Sequence, residues 1–259
     1  MSYLLYCVFR SPPQLEPEAV TGVAAQPVLV IEHGGLGAAI SELREPDSHP
    51  DVASVLVYES VVESLFRRRT VIPMRYGCVA RDRAELAAVL DRHRQQCEAL
   101  LQRFEGLAEM GIQVPAEPFP AGPFPAPAER PEAWAEASAE IGLASVRQAR
   151  FDGSNRSGAS YLSAKQLYYR GTDQKVERQN ELAQAVCLPL AGLFVERKVE
   201  LPSRGTSLLS LHFLVPRAAA EAFREASRQT LQDEFGNLRI SGPWAPYNFA
   251  AFPHGGGIL

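Results

Sequence analysis

Catalysis and metal binding need groups that converge: a nucleophile with its base, two tuned carboxylates, or a cluster of ligands. Of the five histidines, His33, His49, His93, His212 and His254, no two are spaced to share a helix face, and neither HExxH nor another paired-histidine pattern occurs. His93 falls among Leu86, Val89, Leu90, Cys97, Leu100, Leu101 and Phe104 at helical spacing, which predicts a satisfied core residue rather than a ligand. His212 lies inside an alternating strand, on its more polar face. Cys7, Cys78, Cys97 and Cys187 are scattered, with no CxxC pair and no histidine at zinc-finger spacing. They read as small buried hydrophobes of a reducing compartment.

The glycines give no phosphate cradle. Gly34-Gly35-Leu36-Gly37 follows a strand, but neither GxGxxG nor GK[ST] is completed, and a tight strand reversal explains the same residues. Gly158-Ala159-Ser160-Tyr161 lacks the GxSxG elbow of α/β hydrolases, and its small residues suit a closely packed helix start. Gly255-Gly256-Gly257 reads as a flexible tail. No enzyme, cofactor or metal site is predicted.

Charge excludes further classes. Lys plus Arg number 26 against 30 Asp plus Glu, a net charge of −4, so there is no basic footprint for nucleic acid. Arg67-Arg68-Arg69, the one dense basic run, ends an apolar-periodic segment and complements a helix C-terminus. No stretch approaches the roughly 18 apolar residues of a membrane span, and the N-terminus lacks the charged and apolar regions of a signal peptide. A cytoplasmic protein is expected. Arg75 follows a proline within a β run and is expected to be partly buried and paired with a carboxylate or carbonyl groups. Trp244 and Tyr247, between Pro243 and Pro246, either fold back as a hydrophobic plug or form an exposed aromatic anchor. Their size favours the plug.

The elements that position these residues follow from periodicity. Tyr3 to Phe9, Val28 to Ile31 and Leu36 to Leu43 read as strands, with Gly34-Gly35 as the reversal between the last two. Val55, Tyr58, Val62, Leu65 and Phe66 mark one helix face, and Thr70 to Tyr76 returns to a strand that Pro73 confines to an edge or a bulge. Asp82 caps a second helix running to Phe104, and Met110 to Val114 is a strand. Two helices between strands predict a mainly antiparallel sheet with helices on one face, a modified ferredoxin-like α+β sandwich over residues 1–115.

Seven prolines at positions 115, 118, 120, 123, 125, 127 and 131 bar both helix and central strand, so 116–131 reads as a semi-rigid interdomain spacer. Residues 132–259 form a second α+β domain with a tail. Trp134 to Ala144 is a short helix, Phe151 to Asn155 a turn, and Ser157 to Cys187 a long helical stretch that Gly171-Thr172-Asp173 can interrupt. Phe194 to Val199, Leu208 to Val215 and Asn237 to Ser241 read as strands, and Ala218 to Phe235 as a helix stopped by Gly236.

Four segments resemble the gas vesicle protein F/L family. Thr70-Val71-Ile72-Pro73-Met74-Arg75-Tyr76-Gly77 is similar to its TVxPxRFG strand, and Gly106 with Glu109, Gly111, Ile112 and Val114 to its G..E.GVKV element. Ser157 to Leu162 resembles its SGxxYL helix start. Leu209 to Pro216, followed by Ser241-Gly242-Pro243-Trp244-Ala245-Pro246-Tyr247-Asn248-Phe249, resembles its YLVP strand and GPWPPYSF ending. Tyr58 stands where a histidine is expected, Cys78 replaces a threonine, Gln113 a lysine and Ala245 a proline. The resemblance implies two α+β domains and an assembly or accessory role at the gas vesicle. Its partners would be the very hydrophobic shell-forming protein and other accessory proteins, with no nucleic acid and no membrane. Arg75, Tyr76, Tyr161, Trp244 and Tyr247 are the expected partner-binding residues. The alternatives are a minor structural component of the shell and, from another class, an enzyme or ligand sensor on a ferredoxin-like fold.

Overall fold

The structure is a computed structural model that describes residues 2–11, 20–43, 51–115, 177–200, 208–235 and 238–250. The expected linker 116–131, the elements between Trp134 and Gly171-Thr172-Asp173 including Tyr161, His49, Gly236 and the tail with His254 lie outside the described residues.

Long apolar runs form the first sheet. Its strands are β1 (Ser2–Arg10), β2 (Leu29–His33), β3 (Leu36–Leu43), β4 (Ile72–Pro73) and β5 (Val79–Ala80). The order is β2-β3-β1-β4, with β5 also on β1, and every pair is antiparallel. Gly34 and Gly35, at φ 57° and 84°, supply the left-handed pair that a two-residue hairpin needs. Pro73 pairs with Cys7 at the sheet edge, where its missing N–H costs no ladder bond.

Leu4 to Phe9 and Ala38 to Ile40 are buried throughout, which requires cover on both faces of the sheet. Helix α1 (Val52–Phe66) packs Tyr58, Val61 and Val62 against Leu4, Tyr6, Cys7 and Phe9. Helices α2 (Arg83–Arg92) and α3 (Arg94–Arg103) pack Leu86, Leu90, Cys97 and Leu101 with Leu5, Val8 and Ile40. The helices therefore occupy two faces, not the one expected. Asp82 caps α2 by accepting from the Glu85 N–H at 2.8 Å. The single helix expected to follow is broken at His93, whose φ/ψ of −105°/12° lies outside the helical region. His93 is half-buried at that joint rather than in the core.

The second sheet comprises β6 (Leu107–Pro115), β7 (Glu196–Glu200), β8 (Leu208–Pro216) and β9 (Arg239–Trp244), in the antiparallel order β7-β8-β6-β9. Two helices cover one face: α4, over 177–187, contributes Leu182, Ala183 and Val186, and α5 (Ala220–Phe235) contributes Phe223 and Leu231. The succession β6-α4-β7-β8-α5-β9 with this strand order is the ferredoxin-like βαββαβ arrangement. The first sheet repeats the order with one helix, α1, where the second has two, which makes it the modified version. Met110 to Val114, expected to complete the first sheet, lies at the centre of the second. Residues on both sides of 116–176 thus share one core, and the proline-rich stretch falls within the second unit's sequence.

Candidate interaction site

The two units meet where β6, β8 and the chain after β9 reach the first sheet. Gly242 has φ 104°, and a Cβ there would stand 2.5 Å from the Glu109 carbonyl oxygen, so only glycine lets β9 lie this close to β6. The Gly242–Pro243 bond is cis. Beyond it the chain turns tightly, Phe249 and Ala250 both donating to the Pro246 carbonyl at 3.2 and 3.1 Å. Ala245 and Tyr247 enter the α1 side of the first core, while Phe249 joins Leu214 on the α2–α3 side.

A buried carboxylate fastens that turn. Glu109 accepts from the Asn248 backbone N–H at 2.9 Å and from Asn248 Nδ2 at 2.6 Å, and lies 3.1 Å from His212 Nδ1. Lys198 Nζ donates to the Asn248 carbonyl at 2.9 Å. Glu109 is only 5% exposed, and the two Asn248 N–H donors satisfy both of its carboxyl oxygens.

An aromatic cluster flanks the segment. The Tyr58 hydroxyl lies 2.8 and 2.9 Å from the carbonyl oxygens of Leu5 and Met74, and its ring is 4.9 Å from Tyr6 and 5.2 Å from Tyr76. Tyr76 and Tyr247 both pack on this core from half-buried positions. Burial pushes the phenols of Tyr58 and Tyr247 above the ordinary tyrosine range. The structure therefore brings Tyr76 and Tyr247 to one core. Arg75 is exposed instead of partly buried: Met74 before it is buried and donates its N–H to the Tyr6 carbonyl at 2.9 Å, and the turn that follows, closed by the Cys78 N–H on the Arg75 carbonyl at 3.2 Å, leaves the Arg75 side chain in solvent. Trp244 is 45% exposed, which corrects the expectation of a buried plug: β9 is an edge strand, and Ala245, Tyr247 and Phe249 do the packing.

Helix α1 carries a second apolar feature. Its sequence is apolar almost all round, and beyond the face spent on the core it leaves Val52 77% and Leu56 59% exposed, one turn apart. Asp51 caps this end, accepting from the Ser54 N–H at 2.7 Å, and hydrogen bonding to the Ser54 side chain first and its backbone second holds its carboxyl below the usual range. An open groove of about 550 Å³ lies elsewhere, between the Gly34-Gly35 hairpin and α3, lined by Arg10, Ser11, Gln95, Glu98 and Gln102.

Among the described residues no group of His, Cys, Asp and Glu is arranged to hold a metal ion, and no helix is long and apolar enough to cross a membrane. Cys7 and Cys97 are buried, which pushes their thiols up to about 12 and about 11. The Glu109–His212–Asn248 cluster escaped sequence reasoning as a unit. Its legible trace is a lone glutamate inside the apolar run from Leu107 to Val114.

Comparison with known proteins follows the same architecture. The family described as gas vesicle synthesis protein GvpL/GvpF matches residues 2–251. Gas vesicle protein L of Streptomyces sp. is 26% identical, covering 95% of this chain and 91% of that protein. Gas vesicle protein F of Streptomyces sp. is 25% identical, covering 96% and 99% respectively. The crystal structure of GvpF from Anabaena sp. superposes with a TM-score of 0.68 at 20% identity, over 98% of this chain and 97% of that one. GvpF from Microcystis aeruginosa gives 0.69 at 18% identity, over 97% and 99%. At such identities the two structures bear on the fold alone.

Proposed function

The chain belongs to the gas vesicle synthesis protein GvpL/GvpF family, and from that premise we propose that it is a non-enzymatic assembly protein that binds the hydrophobic shell-forming subunit during vesicle nucleation or growth. It works in the cytoplasm, at the vesicle. A subunit destined to present apolar surface to gas aggregates in water unless that surface is covered. The observation that carries this reading is the Val52–Leu56 stripe, large aliphatic side chains left to solvent on a helix already anchored by its opposite face. Trp244, Arg75, Tyr76, Tyr247 and Tyr161 are the further residues proposed to contact the partner.

Co-purification with the shell-forming subunit tests the proposal. The parent chain retains the subunit, and a Val52→Ser/Leu56→Ser double variant loses it about tenfold or more while melting normally, since two exposed side chains contribute little to the fold. Equal retention by the double variant removes α1 from the interface. No retention by the parent removes the assembly role. Detection of the chain on washed vesicles points instead to a component of the shell.

A further inference from the structure

Helix α1 turns one seam of residues away from the core. At about 100° per residue, Val52, Leu56, Glu59 and Glu63 fall within about 60° of one another around the axis and extend about 16 Å along it. Their separations of four, three and four residues are those of the contact line between two packed helices. Val52 and Leu56 are its exposed aliphatic side chains, and Ala53 and Ser60, exposed beside it, are small enough for a second helix to approach closely. Tyr58, Val61 and Val62 face the core on the other side.

The second half of the seam is acidic for no reason internal to the helix. Carboxylates stabilise a helix at its first turn, and Glu59 and Glu63 stand in its middle and its last turn instead. Arg67 answers Glu63 at 2.7 Å across one turn. Glu59 has no cationic partner among the described residues. The Tyr247 hydroxyl, close enough to Glu59 for the two to interact electrostatically, makes no hydrogen bond. An unpaired carboxylate thus stands one turn beyond two exposed aliphatic side chains, on the same line.

We propose that this seam docks an amphipathic helix of basic character. Two aliphatic residues one turn apart on that helix seat on Val52 and Leu56, and Lys or Arg one turn further lies against Glu59 and Glu63. The inference rests on the assembly reading above and names the element of the partner that α1 receives. A neutral apolar segment would cover Glu59 and leave its charge unpaired. An anionic lipid surface would be repelled by the two carboxylates. A helix with matched spacing satisfies both halves of the seam at once.

The probes are labelled helical peptides of about 20 residues on an Ala/Gln background. Each carries Leu at two positions four apart and, three and seven positions beyond the second, either Lys or Glu. Both are made in the two chain directions, which samples parallel and antiparallel docking. Fluorescence anisotropy follows their titration with the full chain. In one direction the Lys peptide is expected to bind about tenfold tighter than its Glu counterpart, attraction being exchanged for repulsion at two positions, and the ratio shrinks in high salt. Glu59→Gln lowers the ratio about threefold, the weight of one exposed ion pair. Glu59→Lys brings it to one or inverts it, and both variants melt like the parent because the side chain is exposed. Val52→Ser/Leu56→Ser loses the peptides. No binding in either direction, equal binding of the Lys and Glu peptides, or a parent-like ratio in Glu59→Lys overturns the inference. If the parent chain still retains the shell-forming subunit in those cases, the assembly role stands without this partner element. Docking of the Lys peptide by a chain that does not retain the subunit keeps the seam and removes the assembly role.

Discussion

Arg217, at the start of the short turn leading into α5, holds its guanidinium 3.9 Å from the ring centroid of Phe66, the last residue of α1. The same side chain donates to the carbonyl oxygens of Arg69 and Leu107, each at 3.3 Å. One residue of the second unit thus binds the end of a helix in the first. Arg103 and Glu196 form an ion pair between the units at exposed positions, where such pairs contribute little.

Arg217→Ala is expected to lower stability by about 2 kcal/mol, the sum of a partly desolvated cation–π contact and two weak hydrogen bonds. Arg217→Lys should recover less than half, since an ammonium has no planar fork to stack on the ring and reach both carbonyls. Urea midpoints of the three proteins measure this. Equal midpoints for the parent and Arg217→Ala would show that the joint rests on apolar packing alone.

Alkaline pH should weaken the fold. Unfolded cysteine titrates near 9.0, whereas burial holds Cys7 near 12 and Cys97 near 11. Above pH 9 the unfolded chain therefore binds fewer protons than the folded one, and deprotonation favours unfolding. The stabilisation is complete below pH 9 and is lost as pH rises toward the folded values. Tyr58 adds in the same direction, its phenol raised by burial. The urea midpoint should fall steadily from pH 8.5 to pH 10.5, less steeply in Cys7→Ala, and thiol alkylation at pH 8 should be slow until the chain unfolds. A flat midpoint over that range would count against burial of these thiols.

Sequence periodicity carried the strands and helices well because it reports which side of an element is apolar, and Leu4 to Phe9 or Leu209 to Val215 have little choice. It could not say which sheet each strand joins. Met110 to Val114 has the pattern of either, and its place between β8 and β9 depends on pairing partners about 100 residues away in sequence. The break at His93 was equally hidden, since Leu86 to Phe104 keep helical spacing through it. At the junction, Tyr76 and Tyr247 were legible as large aromatics in irregular chain. Glu109, His212 and Asn248 were not legible as a unit, because no spacing rule links residues brought together by three separate elements.

The terminal segment offers a contrast between neighbours. Trp244, at the end of β9, and Phe249, in the turn that follows, are both large apolar rings, and size alone predicts that both are buried. Trp244 instead sits on the edge strand at 45% exposure, while Phe249 is 4% exposed among Leu214 and the side chains of α2 and α3. Phe249→Ala leaves a cavity between two units and should cost about 3 to 5 kcal/mol, enough to unfold a marginal protein. Trp244→Ala removes a ring already half in water and should cost about 1 kcal/mol, within the range of ordinary surface changes. Thermal melts of the two variants give the comparison directly. A Trp244→Ala loss as large as that of Phe249→Ala would mean that the tryptophan packs against its own chain. A small loss, together with weakened retention of the shell-forming subunit, would leave the exposed ring free to act as an aromatic anchor for a partner.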